Sequence, residues 1–306
     1  MTGTSHRFSS PQNSASTGAS SALRKPDWLK RSLPIAAQAG FDEVQKLLDR
    51  SQLSTVCHSA RCPNQSECWG CRTATFLLMG PICTRACRFC HVTTGQPAPL
   101  DSDEPNRLAR AVRDLGLRHA VLTSVDRDDV PDGGAEHFAR CIEAIHDTTP
   151  ETTVEALIPD FGGDAAALDR IASSRPTILG HNVETVERLT PAVRDRRATY
   201  RISLDVLAHF RRFAPSIRTK SSLMLGLGET NTEIAACFDD LRAVGTSILT
   251  LGQYLQPSPF HLKVERFVPP DEFERLKAEA LELGFDAVAA GPLVRSSYRA
   301  GELAAE

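Results

Sequence analysis

The sequence contains no apolar run near the roughly 20 residues that a membrane-spanning helix needs, so no transmembrane segment and no membrane partner are expected. It has little charge imbalance: a net charge of −3 over 306 residues points to neither a nucleic-acid nor a membrane surface. No Gly-x-Gly-x-x-Gly fingerprint is present, which weighs against a doubly wound nucleotide fold. The N-terminus lacks the apolar core of a secretory signal. Met1–Pro26 also lacks any acidic side chain and is rich in Ser, Thr, Gly and Asn, the composition of a disordered tail (1–26). A transit peptide is the alternative there, but only Arg7, Arg24 and Lys25 are basic and no amphipathic pattern is visible. A cytoplasmic location is expected. The remainder, ordinary in its apolar and charged content, is long enough to bury a core.

Cysteine, by contrast, is crowded. Seven of the nine fall in the 34 residues from Cys57 to Cys90. An odd count, uneven placement and no secretory signal argue against a disulfide scaffold and leave the thiols available to metal. They form two unlike triplets, Cys57-x4-Cys62-x5-Cys68 and Cys83-Thr-Arg-Ala-Cys87-Arg-Phe-Cys90. Soft thiolates at short spacings suit iron–sulfur clusters. Three thiolates on a four-iron cubane leave one iron open to a ligand that is not protein, and the chemistry is expected at that iron. The competing assignment is a zinc knuckle, but structural zinc takes four closed ligands, usually from paired short spacings. Cys68-Trp-Gly-Cys71 looks like half of such a pair; Cys71 is read as incidental. Cys141 and Cys237 lie in helical patterns and are assigned to the core.

From Thr75 onward a short apolar run, a polar turn and a helix-period segment recur roughly every 25 to 35 residues. Strands are expected over Thr75–Met79, Ala120–Ser124, Val154–Pro159, Thr177–Asn182, Ser222–Leu227 and Ile248–Tyr254. Helices are expected over Glu104–Leu115, Ala135–His146, Ala165–Ser173, Ser203–Phe213, Asn231–Val244 and Pro270–Leu283. Six alternating units imply a parallel α/β sheet with right-handed crossovers, a partial TIM-like (β/α)6 barrel. Active sites of such barrels gather at the C-terminal ends of the strands. That rim would carry the Cys83–Cys90 loop, Ser124, Asp126-Arg-Asp-Asp129, Asp160, His181-Asn182, Glu229 and Gln253-Tyr254.

The C-x3-C-x2-C loop, with Phe89 before its last cysteine, resembles the signature of the radical S-adenosylmethionine (SAM) superfamily. The first triplet, with Cys62-Pro-Asn and Ala74-Thr-Phe, is similar to the auxiliary-cluster site of the lipoyl synthase family. That resemblance covers residues 25–302 or so, through Thr123-Ser-Val-Asp-Arg-Asp-Asp129, Asp132-Gly-Gly134, Pro159-Asp-Phe161 and His181-Asn182. It continues through Leu225-Gly-Leu-Gly-Glu-Thr230, Leu251-Gly-Gln-Tyr-Leu-Gln-Pro-Ser258 and Arg295-Ser-Ser-Tyr298.

The resemblance implies an enzyme that inserts two sulfur atoms, at C6 and C8 of a protein-bound octanoyl-lysine, with SAM and two [4Fe–4S] clusters. Cys83, Cys87 and Cys90 would hold the cluster that chelates SAM and generates 5′-deoxyadenosyl radicals. Cys57, Cys62, Cys68 and Ser297 would hold the auxiliary cluster, which is consumed as the sulfur source. Read without the family, Ser296 and Ser297 are equally a capped turn. Implied partners are octanoylated lipoyl carrier domains (2-oxoacid dehydrogenase E2 subunits, the glycine cleavage H protein), a ferredoxin or flavodoxin, and an iron–sulfur carrier. Ser124, Glu155, Asn182 and Glu229 are the rim groups expected to touch SAM, on barrel position alone. The expected organisation is an extension (27–74) with the auxiliary cysteines, the barrel (75–285), and a C-terminal extension (286–306). Arg194, Arg196, Arg197, Arg211 and Arg212 read as a solvated face or as a surface that steers an acidic protein. The rivals are a methylthiolating RNA enzyme, disfavoured by the absence of a nucleic-acid module, and a non-catalytic metal-binding module on a barrel.

Overall fold

The apolar runs assemble into one eight-stranded sheet in a computed structural model that describes residues 24–30, 38–60, 62–70, 75–298 and 300–305. Most of the N-terminal tail, and Cys71, lie outside the described residues. Helix α1 (Gln38–Ser51), strand β1 (Ser54–Thr55) and helices α2 (Val56–Ser59) and α3 (Gln65–Gly70) precede the first parallel strand, β2 (Thr75–Leu78). The cysteine loop adds a two-residue ladder, β3 (Ile82–Cys83) with β4 (Thr93–Thr94). Regular alternation follows: α4 (Glu104–Leu115), β5 (His119–Ser124), α5 (Ala135–Thr148), β6 (Thr153–Leu157), α6 (Ala165–Ser173) and β7 (Ile178–Gly180). It continues with α7 (Thr190–Val193), α8 (Tyr200–Phe213), β8 (Arg218–Leu225), α9 (Asn231–Ala243), β9 (Ile248–Gln253), α10 (Pro270–Glu282), β10 (Ala287–Gly291) and α11 (Ala300–Ala305).

The spatial order β1-β2-β5-β6-β7-β8-β9-β10 follows the chain, with every pair parallel except β1 on β2. The architecture is the expected partial TIM-like barrel, with a seventh parallel strand, β10, from the segment read as an extension. Local chemistry sets the helix starts. Thr230 and Glu233 form a reciprocal capping box on α9, Thr199 caps α8, and Asp164 caps α6. Apolar faces of α4, α5 and α6 pack on β2, β5 and β6, while α9 and α10 cover β8 and β9. No helix among the described residues is long and apolar enough to cross a membrane.

The barrel interior is polar at its N-terminal end. Val154 and Ala156 face the helices, so Glu155 between them points inward. There Lys220 Nζ donates to its two oxygens at 2.8 and 2.9 Å, and both side chains are fully buried. Beneath the strands α11 acts as a stopper: Leu303 packs on Ile178, Ile248 and Ala287, the first residues of β7, β9 and β10. Lys220→Met would strand the Glu155 charge in this interior, which costs about 3–5 kcal/mol. We expect a correspondingly lower urea midpoint, largely restored by adding Glu155→Gln. A single variant that unfolds like the parent would contradict the pairing.

Candidate functional site

Both cysteine triplets occupy special places in the sheet. Cys83, Cys87 and Cys90 lie on the loop after β2, at the C-terminal mouth. Backbone N–H groups aim at their sulfurs: Arg85 N and Asp126 N at 3.4 and 3.3 Å from Cys83 Sγ, and Asp195 N at 3.2 Å from Cys87 Sγ. Such donors favour the thiolate form. Burial nonetheless pushes Cys87 up to about 11 and Cys90 up to about 12, and raises Cys83. Metal-free thiols are therefore protonated near neutrality, and capture of metal must expel those protons.

Buried Arg85 pins this loop. Its guanidinium holds Asp160 at 2.6 and 2.8 Å, Asp128 at 2.8 Å and Asp126 at 3.2 Å. The acidic loop after β5 thus splits its roles: Asp126 and Asp128 grip the cysteine loop, while Arg127 and Asp129 pair with each other at 2.8 Å. Burial raises Asp126 to about 6.

The other triplet sits at the open seam between β1/β2 and β10. Cys57 lies on α2, Cys62 N–H donates to Cys57 O at 3.0 Å, and Cys68 lies on α3. The C-terminal tail crosses to meet them. Asn64 Nδ2 donates to Leu293 O at 2.7 Å, Tyr298 Oη to Glu67 at 3.0 Å, and Thr75 Oγ1 to Ser297 Oγ at 2.8 Å. The Thr75 backbone also hydrogen-bonds to the Cys57 sulfur, so this one residue joins Cys57 to Ser297. Arg295 interacts electrostatically with Cys62. Gly252 permits the crossing, because a Cβ there would stand 2.2 Å from Val294 O.

Each triplet offers three soft thiolates, a donor set whose chemistry suits an iron–sulfur cluster. One tetrahedral zinc would draw its thiolates to about 3.8 Å of one another, given Zn–S bonds near 2.3 Å. Among the described residues neither triplet gathers within 4.8 Å. The one set that does is Glu104, His137 and Cys141, all buried. There Glu104 already accepts Met79 N–H at 3.0 Å and meets His137 Nε2 at 2.6 Å, fixing the turn that follows β2.

The rim residues expected to touch SAM fare unequally. Ser124 ends β5 with its buried Oγ unpartnered, and Arg194 Nε is likewise buried and unpartnered. Asn182 Nδ2 donates to Glu184 Oε1 at 3.0 Å. Glu155 is a correction, for it lies mid-strand, neutralised by Lys220, rather than at the rim. Glu229 is folded back on its own turn, accepting Gly226 N–H and Leu227 N–H at 2.6 and 2.9 Å. Sequence reasoning missed Glu184, whose burial-raised carboxyl interacts electrostatically with Cys87, Cys90 and Arg194. Its positive φ of 67° places it in a bridge to β8 that no strand pattern announces. An acid two residues after a strand-end asparagine was the available signal. The basic group also separates: Arg194, Arg196 and Arg197 precede α8, whereas Arg211 and Arg212 lie at its far end.

Comparison with known proteins agrees with this geometry. The Radical SAM superfamily signature matches residues 77–241. The lipoyl synthase of Myxococcus xanthus (strain DK1622) is 56% identical over 279 residues, covering 91% of this chain and 93% of that protein. That of Thermus thermophilus is 54% identical over 277 residues, covering 90% and 85%. Among solved structures, Streptococcus suis SuiB bound to precursor peptide SuiA aligns over 93% of this chain and 60% of that one. Its TM-score is 0.55 at 10% identity, a likeness of fold alone. The FeFe-hydrogenase maturase HydG from Carboxydothermus hydrogenoformans aligns with a TM-score of 0.51 at 12% identity, over 88% and 78%. The chain therefore belongs to the lipoyl synthase family of radical SAM enzymes, sulfur-inserting enzymes that use SAM and a [4Fe–4S] cluster.

Proposed function

We propose that the chain inserts sulfur at C6 and C8 of an octanoyl group amide-linked to a lysine of a lipoyl carrier domain, with its two triplets in different roles. Cys83, Cys87 and Cys90 hold the cluster that binds SAM; Cys57, Cys62, Cys68 and Ser297 hold a second, auxiliary cluster. When bound, the first with SAM supplies the hydrogen-abstracting radical, one SAM per hydrogen removed, and the second supplies the sulfur. The observation that carries this reading is the Thr75 junction, where the tail's Ser297 meets the strand that also contacts Cys57.

The chain's own residues then divide the remaining tasks. Arg85 and its three aspartates fix the cysteine loop against β5 and β6. Ser124, Asn182, Glu184 and Arg194 offer the polar groups that orient SAM at the mouth. The seam contacts keep water from the auxiliary thiolates, and α11 closes the barrel floor. The substrates are octanoylated E2 subunits or H protein, a ferredoxin or flavodoxin supplies electrons, and an iron–sulfur carrier rebuilds the auxiliary site in a reducing cytoplasm. Residues 27–74 and 286–306 serve the auxiliary site, with β10 shared with the barrel.

Ser297 is a hard oxygen ligand among soft thiolates and so a displaceable one. Ser297→Cys is expected to retain auxiliary iron while slowing lipoyl formation on the order of tenfold. Single-turnover mass spectrometry of the carrier product reads it. Unaltered product formation would count against a labile-ligand role.

A further inference from the structure

The outer side of the cysteine loop is covered by two other loops. Arg88 N–H donates to Val193 O at 2.9 Å and its guanidinium to Ala192 O at 3.2 Å; Leu262 N–H donates to Arg88 O at 3.3 Å. His261 Nε2 donates to Cys90 O at 2.9 Å. These segments bring Phe260, Lys263 and Arg196 to the surface around Arg88. Phe260 is 97% exposed, the most exposed large apolar side chain described. Arg88, Lys263 and Arg196 are exposed, and among the described residues none has a carboxylate within ion-pair distance. Of the nearby acids, Asp195 and Asp128 both pair with Arg197, while Glu265 is exposed two residues from Lys263. An exposed aromatic side chain on the same loops as three exposed cations has the make-up of a docking surface for an acidic protein.

Its location selects the partner. Arg88 adjoins Cys87 and stands two residues from Cys90, and His261 bonds to Cys90 O, so a protein seated here lies directly over the loop that carries those thiolates. We propose that this patch docks an acidic one-electron carrier protein that reduces the cluster. The inference rests on reading Cys83, Cys87 and Cys90 as ligands of a reducible [4Fe–4S] cluster. One electron moves: the carrier is oxidised by one, the cluster falls from the 2+ to the 1+ level, and no bond or proton changes place.

Phe260→Ala, Lys263→Glu and Arg196→Glu, singly and combined, would be tested in the reconstituted full chain. Rapid-freeze EPR would follow the reduced cluster's signal, with reduced flavodoxin as donor in one arm and reduced ferredoxin in another. Each charge reversal is expected to slow reduction about tenfold and the combination about a hundredfold or more, with loss of the parent's salt dependence. Reduction by dithionite should be unchanged; the arm that responds identifies the carrier type. An unchanged carrier-driven rate in the combined variant would overturn the proposal. So would a raised KM for the octanoylated carrier domain at unchanged reduction rate, which would assign the surface to that protein. A parent chain that dithionite does not reduce would overturn the cluster reading instead.

Discussion

Cys83→Ala should abolish SAM cleavage, lowering 5′-deoxyadenosine formation by more than about 10³-fold, because a ligand is removed outright rather than a contact weakened. Cys83 closes β3, accepts two backbone N–H groups and sits beside Asp126. Buried Cys141 and Cys237 lie on α5 and α9. The check is 5′-deoxyadenosine per chain with dithionite as reductant, alongside iron content. Cleavage near the parent rate would remove Cys83 from the ligand set.

Cys62→Ala should separate the two halves of the reaction. SAM cleavage should persist within about twofold, since additive behaviour is expected of sites without shared partners, while lipoyl product falls below detection. Cys62 belongs to the seam: it hydrogen-bonds to Cys57 and interacts electrostatically with Arg295. Mass spectrometry of the carrier would show octanoyl-lysine unchanged or desaturated, without added sulfur. If this variant lost SAM cleavage as well, the two triplets would not be functionally separate.

Much of the fold was legible because apolar periodicity and caps agree. Glu104–Leu115 and Ala165–Ser173 stand where their patterns place them, and α9 begins at its capping box. The misreadings have physical causes. Strand β8 begins at Arg218, not Ser222, because Lys220 is a buried strand residue whose charge is neutralised by Glu155, a pairing 65 residues apart in the chain. Strand β10, Ala-Val-Ala-Ala-Gly, carries one β-branched residue and gives almost no strand signal; its pairing with β9 creates it. Helix α8 starts three residues early because Thr199 caps it and Tyr200 is buried.

The site divides in the same way. Ligand-type residues close in sequence were readable from spacing. The Ser297–Thr75 contact spans 222 residues and, absent a family resemblance, only folding shows it. Glu155 was misplaced because a carboxylate near a strand end looks alike whether it faces the mouth or the barrel interior.

The most direct test of two clusters in one chain is metal content after anaerobic reconstitution, with iron, acid-labile sulfide and zinc counted per polypeptide. The account predicts about eight irons with matching sulfide, and about four in both Cys83→Ala and Cys62→Ala. About four irons in the parent chain, or zinc with little iron, would contradict it.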